Sequence, residues 1–116
     1  MDPATTIIEG PLLLLVQANV EAQHEGQFNA YSYHHVPALL EIPGCRWGRR
    51  YQAVRGDRKH LTLCEIEDAK FLEHLIGPDT VRRHAIANQE FAKWEQLEGL
   101  CDIHINVYQQ HSGSHL

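Results

Sequence analysis

The segment Leu100–Tyr108 alternates apolar and polar side chains more regularly than any other part of the chain. Successive side chains of a β-strand point to opposite faces, so this run predicts a strand with one face against helices and one polar face. The predicted apolar face consists of Cys101, Ile103, Ile105 and Val107, and the predicted polar face of Asp102, His104, Asn106 and Tyr108. Such a strand is typical of an antiparallel sheet with one covered face. This pattern therefore restricts the folds that the chain can adopt.

Apolar periodicity and turn residues divide the rest of the chain into helices and further strands. We predict a strand over Leu12–Glu21, a helix over His24–Leu40 that is kinked or restarted at Pro37, and two paired strands over Cys45–Val54 and His60–Glu67. A helical region in two pieces follows. The first piece contains Phe71, Leu72 and Leu75, and the second begins at Asp79 or Thr80 and places Ala87, Phe91 and Trp94 on one face.

The resulting order is β-α-β-β-α-β, the arrangement of ferredoxin-like α+β domains. The sheet is then four-stranded and antiparallel, with helices on one face. Its other face needs a cover, and a second copy of the same sheet supplies one, so we predict a two-fold homodimer. A chain of 116 residues has room for one domain, which we expect to have its core over about residues 12–108 and flexible termini.

The composition narrows the classes of partner. A net charge of −5 without a basic stripe argues against nucleic acid. The longest apolar run, Leu12–Val16, is too short to cross a membrane, and we find no signal peptide, so we expect a soluble cytoplasmic protein. Cys45, Cys64 and Cys101 form no C-x-x-C pair, and we expect them to be reduced, buried and unpaired.

His35 is the main candidate for chemistry. It shares one helix face with Phe28, Tyr31 and Leu39, so its imidazole is expected to point toward the sheet, where a pocket would lie. An imidazole gives or takes a proton near neutral pH, as enolisation, aldol closure or dehydration requires. Tyr31, one turn earlier, would orient that imidazole or hydrogen-bond a substrate carbonyl. The alternative is a core histidine bonded to a backbone carbonyl, beside a tyrosine that only packs.

Aromatic and polar side chains on two strands are further candidates. Trp47 and Tyr51 alternate along the second strand, where they would line an aromatic slot or pack across strands. His104 and Asn106 form a polar row with Asp102 on the last strand. In a dimer that row would be buried as a paired network that sets dimer specificity.

The histidine count raises the question of a metal or haem. A site from His35, Glu65 and His104 has no spacing signature, and the adjacent His34 and His35 diverge on a helix, so we predict no metal. One such histidine would hold haem if the protein were a haem-type monooxygenase. The sequence has no Gly-rich phosphate loop and no nucleophile elbow, which argues against nucleotide cofactors and acyl-enzyme chemistry.

Three segments, Tyr31–Gly44, Arg49–Tyr51 and Leu61–Glu65, resemble the dimeric α+β barrel superfamily and, within it, the EthD-like group. The most specific signal is the aromatic-x-x-x-His-x-Pro pattern that begins at Tyr31. The resemblance implies a barrel built from two sheets, with a pocket between each sheet and its own helices. It also implies that His35 matches the histidine that these proteins often carry on the first helix.

Two positions depart from the pattern of that group. Ala30 stands where relatives commonly have tryptophan, and His34 replaces an acidic or polar residue. The superfamily includes polyketide cyclases, decarboxylases or dehydratases, lactone isomerases, quinone-forming monooxygenases and proteins with no known activity. The resemblance therefore indicates the fold more strongly than the reaction.

We predict a cofactor-independent enzyme that carries out acid/base chemistry on a polyketide-like or aromatic oxygenated substrate, by cyclisation, dehydration, decarboxylation or isomerisation. The predicted catalytic residues are His35 and Tyr31, and the predicted substrate-binding residues are Phe28, Trp47, Tyr51, His104 and Asn106. One alternative is a non-catalytic dimeric domain for ligand binding or stress response. The other is a haem-type or quinone-type monooxygenase of the same fold.

Overall fold

The computed structural model describes residues 9–68, 70–76 and 84–112. Its strands are β1 (Glu9–Val20), β2 (Cys45–Gln52), β3 (His60–Asp68) and β4 (Leu100–Gln109), and its helices are α1 (Glu25–Leu39), α2 (Lys70–Ile76) and α3 (Ala85–Glu95). A short 3-10 turn over Ala22–His24 leads from β1 into α1. Within these ranges, no helix is both long and apolar enough to span a bilayer.

The four described strands form one antiparallel sheet in the order β2-β3-β1-β4. β1 lies between β3 and β4, and β2 pairs with β3 at the opposite edge. The helices cover one face. This arrangement confirms the predicted ferredoxin-like α+β fold.

The core lies between the sheet and the helices. Its buried side chains are Leu12, Leu14, Leu39, Ile42, Cys64, Ile66, Phe71 and Ala87. Full burial of one large apolar side chain contributes about 1.5–3 kcal/mol. Gly44 lets the chain turn from α1 into β2 beside this core, because its φ is +98° and an added Cβ would lie 3.2 Å from the Cβ of Phe71.

The first helix is not interrupted at its proline. α1 continues through Pro37 and ends at Leu39. Proline removes one amide donor, but so close to the end of a helix this costs a single intrahelical bond. The predicted restart at Pro37 is therefore wrong.

The third helix begins later than predicted. α3 starts at Ala85, and the imidazole of His84 caps it by accepting a hydrogen bond from the Ile86 amide at 3.2 Å. Asp79 and Thr80, the predicted caps, lie outside the described residues. A histidine cap is an uncommon start signal, which explains why the sequence pattern did not indicate it.

The last strand is an edge strand with little cover on either face. The helices pack nearer to β2 and β3, and Ile103, Ile105 and Val107 are 42%, 53% and 40% exposed. The predicted helix cover over this strand is therefore wrong. A register shift near the end of β1, with Asp102 at a φ of 53°, also interrupts the alternation predicted for residues 101–107.

The three cysteines differ in exposure. All are unpaired, as predicted, but only Cys64 is buried, while Cys45 is half-buried and Cys101 is exposed. The burial predicted for Cys101 is wrong because β4 lies at the uncovered edge of the sheet.

The open face of the sheet carries three cross-strand rows of side chains. From β2 to β4 the rows are Trp47, Glu65, Leu13 and Tyr108; Arg49, Leu63, Leu15 and Asn106; and Tyr51, Leu61, Gln17 and His104. Directly opposite residues of an antiparallel sheet share a face, so these side chains lie together. We call this surface the open face.

Candidate functional site

A pocket lies between the covered face of the sheet and the helices α1 and α3. Its cavity has a volume of about 140 Å³ and a mostly apolar lining. The side chains around it include Val16, Ala18 and Thr62 of the sheet, Phe28, Tyr31 and His35 of α1, and Glu90, Phe91 and Trp94 of α3. An apolar cavity of about 150 Å³ in another protein holds benzene. This pocket therefore has room for a single six-membered ring.

The predicted face of α1 lines this pocket. Phe28, Tyr31, His35 and Leu39 all contribute to its wall, as their helical spacing indicates. The structure thus brings together both predicted catalytic residues and one predicted substrate-binding residue, Phe28. Their roles in a reaction stay predictions.

His35 is bonded to a buried carboxylate. Its Nδ1 lies 2.8 Å from Oε1 of Glu90, which is only 2% exposed. Oε2 of the same carboxylate lies 2.9 Å from Nζ of Lys93. An ionised carboxylate can only accept hydrogen bonds, so the proton of a neutral His35 resides on Nδ1. Nε2, which has no hydrogen-bond partner among the described residues, is then the basic nitrogen of the ring.

The surroundings of His35 favour its neutral, basic form. Burial lowers the pKa of His35 below its usual value, the hydrogen bond and charge of Glu90 oppose this, and the charge of Lys93 lowers the pKa further. A lowered pKa keeps the imidazole unprotonated at neutral pH. His35 is therefore ready to accept a proton at neutral pH, and it can donate one only after it has been protonated.

Tyr31 lies against the His35 ring. The two rings stack with their centroids 4.8 Å apart and their planes at 22°. Burial, and then the charge of Glu90, raise the pKa of Tyr31 well above its usual value. The phenol therefore stays protonated, so it orients His35 by stacking and offers a hydrogen-bond donor instead of a base.

A second histidine, which the sequence patterns did not indicate as a site residue, lines the same pocket. His60 is 2% exposed and its ring lies 4.7 Å from that of Phe28. Its Nδ1 is 2.8 Å from Nη2 of Arg50, and its Nε2 is 3.1 Å from Oε1 of Glu25. Both ring nitrogens of His60 are thus engaged, in contrast to those of His35.

Glu90 and His60 could have been found from periodicity. Glu90 lies three residues after Ala87 and four before Trp94, so it belongs to the predicted inner face of that helix. His60 alternates with Cys64 and Ile66, the buried residues of β3. The signal that could have identified both as site residues is a charged or titratable side chain on an otherwise apolar inner face.

Four of the predicted substrate-binding residues do not line this pocket. Trp47, Tyr51, His104 and Asn106 lie on the open face, since each is in register with open-face residues of the neighbouring strands. Arg49 lies over the Trp47 ring at 4.6 Å. The alternation of a strand separates them from the pocket, because the covered face takes the residues in between.

The metal ligands considered from the sequence are also separated. His35 lies on the covered side, whereas Glu65 and His104 lie on the open face, so these three cannot meet at one ion. Among the described residues, no group of three histidine, cysteine or acidic side chains is arranged to hold a metal.

Solved structures resemble this chain over nearly its whole length. A proposed antibiotic biosynthesis monooxygenase from Deinococcus radiodurans covers 90% of this chain and 97% of its own, with a TM-score of 0.64 and 14% identity. The haem-degrader MhuD from Mycobacterium tuberculosis, with two haems in its active site, covers 90% and 100%, with a TM-score of 0.61 and 12% identity. An EthD family protein from Bacillus halodurans covers 85% and 98%, with a TM-score of 0.60 and 12% identity. This chain shares the ferredoxin-like α+β fold of these structures.

The likeness confirms, at the level of fold, the resemblance that the motifs indicate. No protein-family model and no curated protein matches the sequence. Because the identities to these structures are only 12–14%, the comparison establishes the fold alone.

The pocket allows a test of whether haem fits. A porphyrin contains four pyrrole rings, whereas the cavity of about 140 Å³ has room for one six-membered ring. Haem is therefore larger than the enclosed part of this pocket, and we derive no chemistry from it.

Proposed function

We propose that this chain is an enzyme that oxidises a small single-ring phenol or hydroquinone with molecular oxygen, without a bound cofactor. The observation that carries the proposal is His35, whose Nδ1 is bonded to buried Glu90 while its Nε2 is left as a base in an apolar, ring-sized cavity. The fold shared with a proposed monooxygenase supports oxygen as the second reactant. Of the reactions predicted from the sequence, the quinone-type monooxygenase is thus better supported than cyclisation or dehydration.

The proposed reaction begins with proton removal. His35 Nε2 takes the hydroxyl proton of the substrate, and the carboxylate of Glu90 stabilises the imidazolium that forms. The resulting phenolate is electron-rich at its ring carbons, and its reaction with oxygen forms a new carbon–oxygen bond. One oxygen atom becomes a quinone carbonyl and the other leaves as water, with its two hydrogens taken from the O–H and C–H bonds of the phenol. The substrate supplies all the electrons, so no reductant is needed.

The apolar lining contributes to this chemistry. A phenolate that is poorly solvated is more reactive, since fewer water molecules stabilise its ground state. The protonated phenol of Tyr31 supplies a donor to the substrate oxygen and keeps the His35 ring in place. Phe28 and Trp94 provide apolar contacts for the substrate ring.

The test is oxygen consumption with a panel of single-ring phenols and hydroquinones, with mass spectrometry of products formed under ¹⁸O₂. We expect one labelled oxygen atom in the quinone. His35→Gln should lower turnover by about 10²–10⁴-fold, the usual contribution of a general base. His34→Gln is the matched control, because His34 is the neighbouring residue on the exposed side of α1.

Two results would contradict the proposal. Oxygen uptake that is unaffected in His35→Gln would exclude His35 as the base. Tight binding of a phenol without any turnover would favour the non-catalytic ligand-binding domain instead.

The proposal includes a homodimer formed through the open face. Leu13, Leu15, Leu61 and Leu63 lie at the centre of that face, and no described helix covers them. A stable interface would bury more than about 1,200 Å² in total. A cytoplasmic location and the lack of nucleic-acid and membrane partners stay predictions.

The dimer is tested by sedimentation of a charged variant. Leu63→Glu places a carboxylate at the centre of the open face, so the protein should become monomeric at micromolar concentration. Leu40→Glu introduces the same charge at an exposed leucine away from the sheet and should leave the dimer intact. A monomeric wild-type protein would refute this part of the proposal.

A further inference from the structure

The two ring nitrogens of His60 have partners of opposite character. Nη2 of Arg50 lies 2.8 Å from Nδ1, and Oε1 of Glu25 lies 3.1 Å from Nε2. A guanidinium only donates hydrogen bonds, so Nδ1 must be the acceptor. The single proton of the ring then resides on Nε2 and is donated to Glu25. His60 is therefore held as one neutral tautomer.

Arg50 contacts the pocket wall at two further points. The same Nη2 donates to Oδ1 of Asn29 at 2.6 Å, and the guanidinium carbon lies 5.2 Å from the centre of the Phe28 ring. Phe28 in turn packs against His60 and Tyr31, with ring centroids 4.7 Å and 6.3 Å apart. One cation on β2 thus joins the beginning of α1 to the histidine of β3.

We propose that Arg50 is a positioning residue that holds His60 neutral and thereby maintains the shape of the pocket wall formed by His60 and Phe28. His35 is then the base of the pocket, and His60 is part of its wall. Protonation of His60 would place an N–H against the Arg50 guanidinium and break the contact. The inference rests on the proposed function only in taking this pocket as the ligand site.

The charges around His60 agree with this role. Glu25 faces it from α1, Arg50 from β2, and Lys59, which pairs with Glu25 at 2.6 Å, precedes it in the chain. Burial lowers the pKa of His60, Glu25 opposes this through its hydrogen bond and charge, and the charges of Arg50 and Lys59 add to the lowering. Two cations and one anion surround a group that would itself become a cation.

Glutamine offers a substitution that cannot titrate. In His60→Gln the amide oxygen can accept from Arg50 while the amide nitrogen donates to Glu25, which reproduces the neutral tautomer. The ligand used to probe the wall is fluorobenzene, a neutral ring-sized molecule that has no titratable group. Wild-type affinity should fall once the pH drops below the lowered pKa of His60. In His60→Gln, the part of this decrease in affinity that is due to His60 protonation should be absent.

Nuclear magnetic resonance of the imidazole rings tests the role of Arg50 without any ligand. In the wild type, the proton of the His60 ring should be on Nε2 at neutral pH. Arg50→Met should raise the pKa of His60 and weaken fluorobenzene binding, because the wall loses the group that holds His60 in place. Arg58→Met is the control, because Arg58 carries the same charge but bonds His104 at 2.6 Å on the open face.

The outcomes separate this inference from the proposed function. A proton on Nδ1 of His60, or an unchanged His60 pKa in Arg50→Met, would overturn the role of Arg50 even if the enzyme is active. An acid-induced loss of binding that persists in His60→Gln would show that His60 does not control the wall. Failure of phenol oxidation with these ring measurements as expected would refute only the proposed reaction.

Discussion

The pocket contains one histidine on helix α1, His35, and one on strand β3, His60. The groups around these two rings give them different chemistry. Both rings line the cavity, and burial lowers the pKa of both. At His35 one nitrogen is bonded to Glu90 and the other has no hydrogen-bond partner in the described part of the chain. At His60 both nitrogens are engaged, by Arg50 and Glu25. The comparison shows that burial keeps a histidine unprotonated at neutral pH, whereas the number of engaged nitrogens decides whether it can accept a proton from a ligand.

Among the changes that test this comparison, removal of the charge of Glu90 should have the largest effect on turnover. Glu90→Gln keeps an acceptor for His35 Nδ1 but loses the carboxylate, so turnover should fall by at least about 10–100-fold, the loss seen when a partner that orients a metal-bound histidine is replaced. The hydrogen bond and charge of Glu90 raise the pKa of His35, so the acid limb of the kcat profile should move to lower pH.

Lys93→Met is the opposite change at the same end of the pocket. The charge of Lys93 lowers the pKa of His35, so its loss should move the acid limb to higher pH. Shifts in the same direction for both variants would mean that His35 is not the titrating base.

Removal of the Tyr31 hydroxyl should have a smaller effect on turnover. Tyr31→Phe retains the ring that stacks on His35 at 4.8 Å and deletes one hydrogen bond. A neutral hydrogen bond contributes about 0.5–1.5 kcal/mol, so kcat/KM should fall by roughly tenfold or less. A loss as large as that of His35→Gln would instead assign proton transfer to the phenol.

The smallest expected effect is on the pH dependence of stability. Both pocket histidines should contribute to it. Since their pKa values lie below the ordinary value of 6.5 in the folded protein, the unfolded chain binds more protons as the pH falls. Their contribution to the free energy of unfolding is therefore fully present above that value and is lost as the pH drops through the lowered pKa values. Urea denaturation at about pH 7.5 and about pH 5 should show a smaller decrease for His35→Gln and His60→Gln than for the wild type.

A matched control shows whether the slope of the free energy of unfolding against pH comes from the two pocket histidines. His34→Gln removes an exposed histidine from the same helix and should keep the wild-type slope. If all three variants behaved alike, the two buried rings would not be the source of the pH dependence.

The contact between His35 and Glu90 could not be read from the sequence, although each residue could be placed on its own inner face. The spacing of Phe28, Tyr31 and His35 is local, and a helix turns it into one face whatever the helix packs against. Glu90 lies 55 residues from His35, so their contact depends on how α1 and α3 pack over the sheet.

The sequence by itself determined the order of elements, the antiparallel sheet and the inward direction of His35, because these depend on side-chain periods of two and 3.6 residues. Tertiary structure decided which titratable groups meet. It joined Arg50 and Glu25 to His60, placed Trp47 on the face away from the pocket, and left β4 uncovered. These features arise from strand order, register and helix packing, which bring together residues far apart in the chain and which no local pattern specifies.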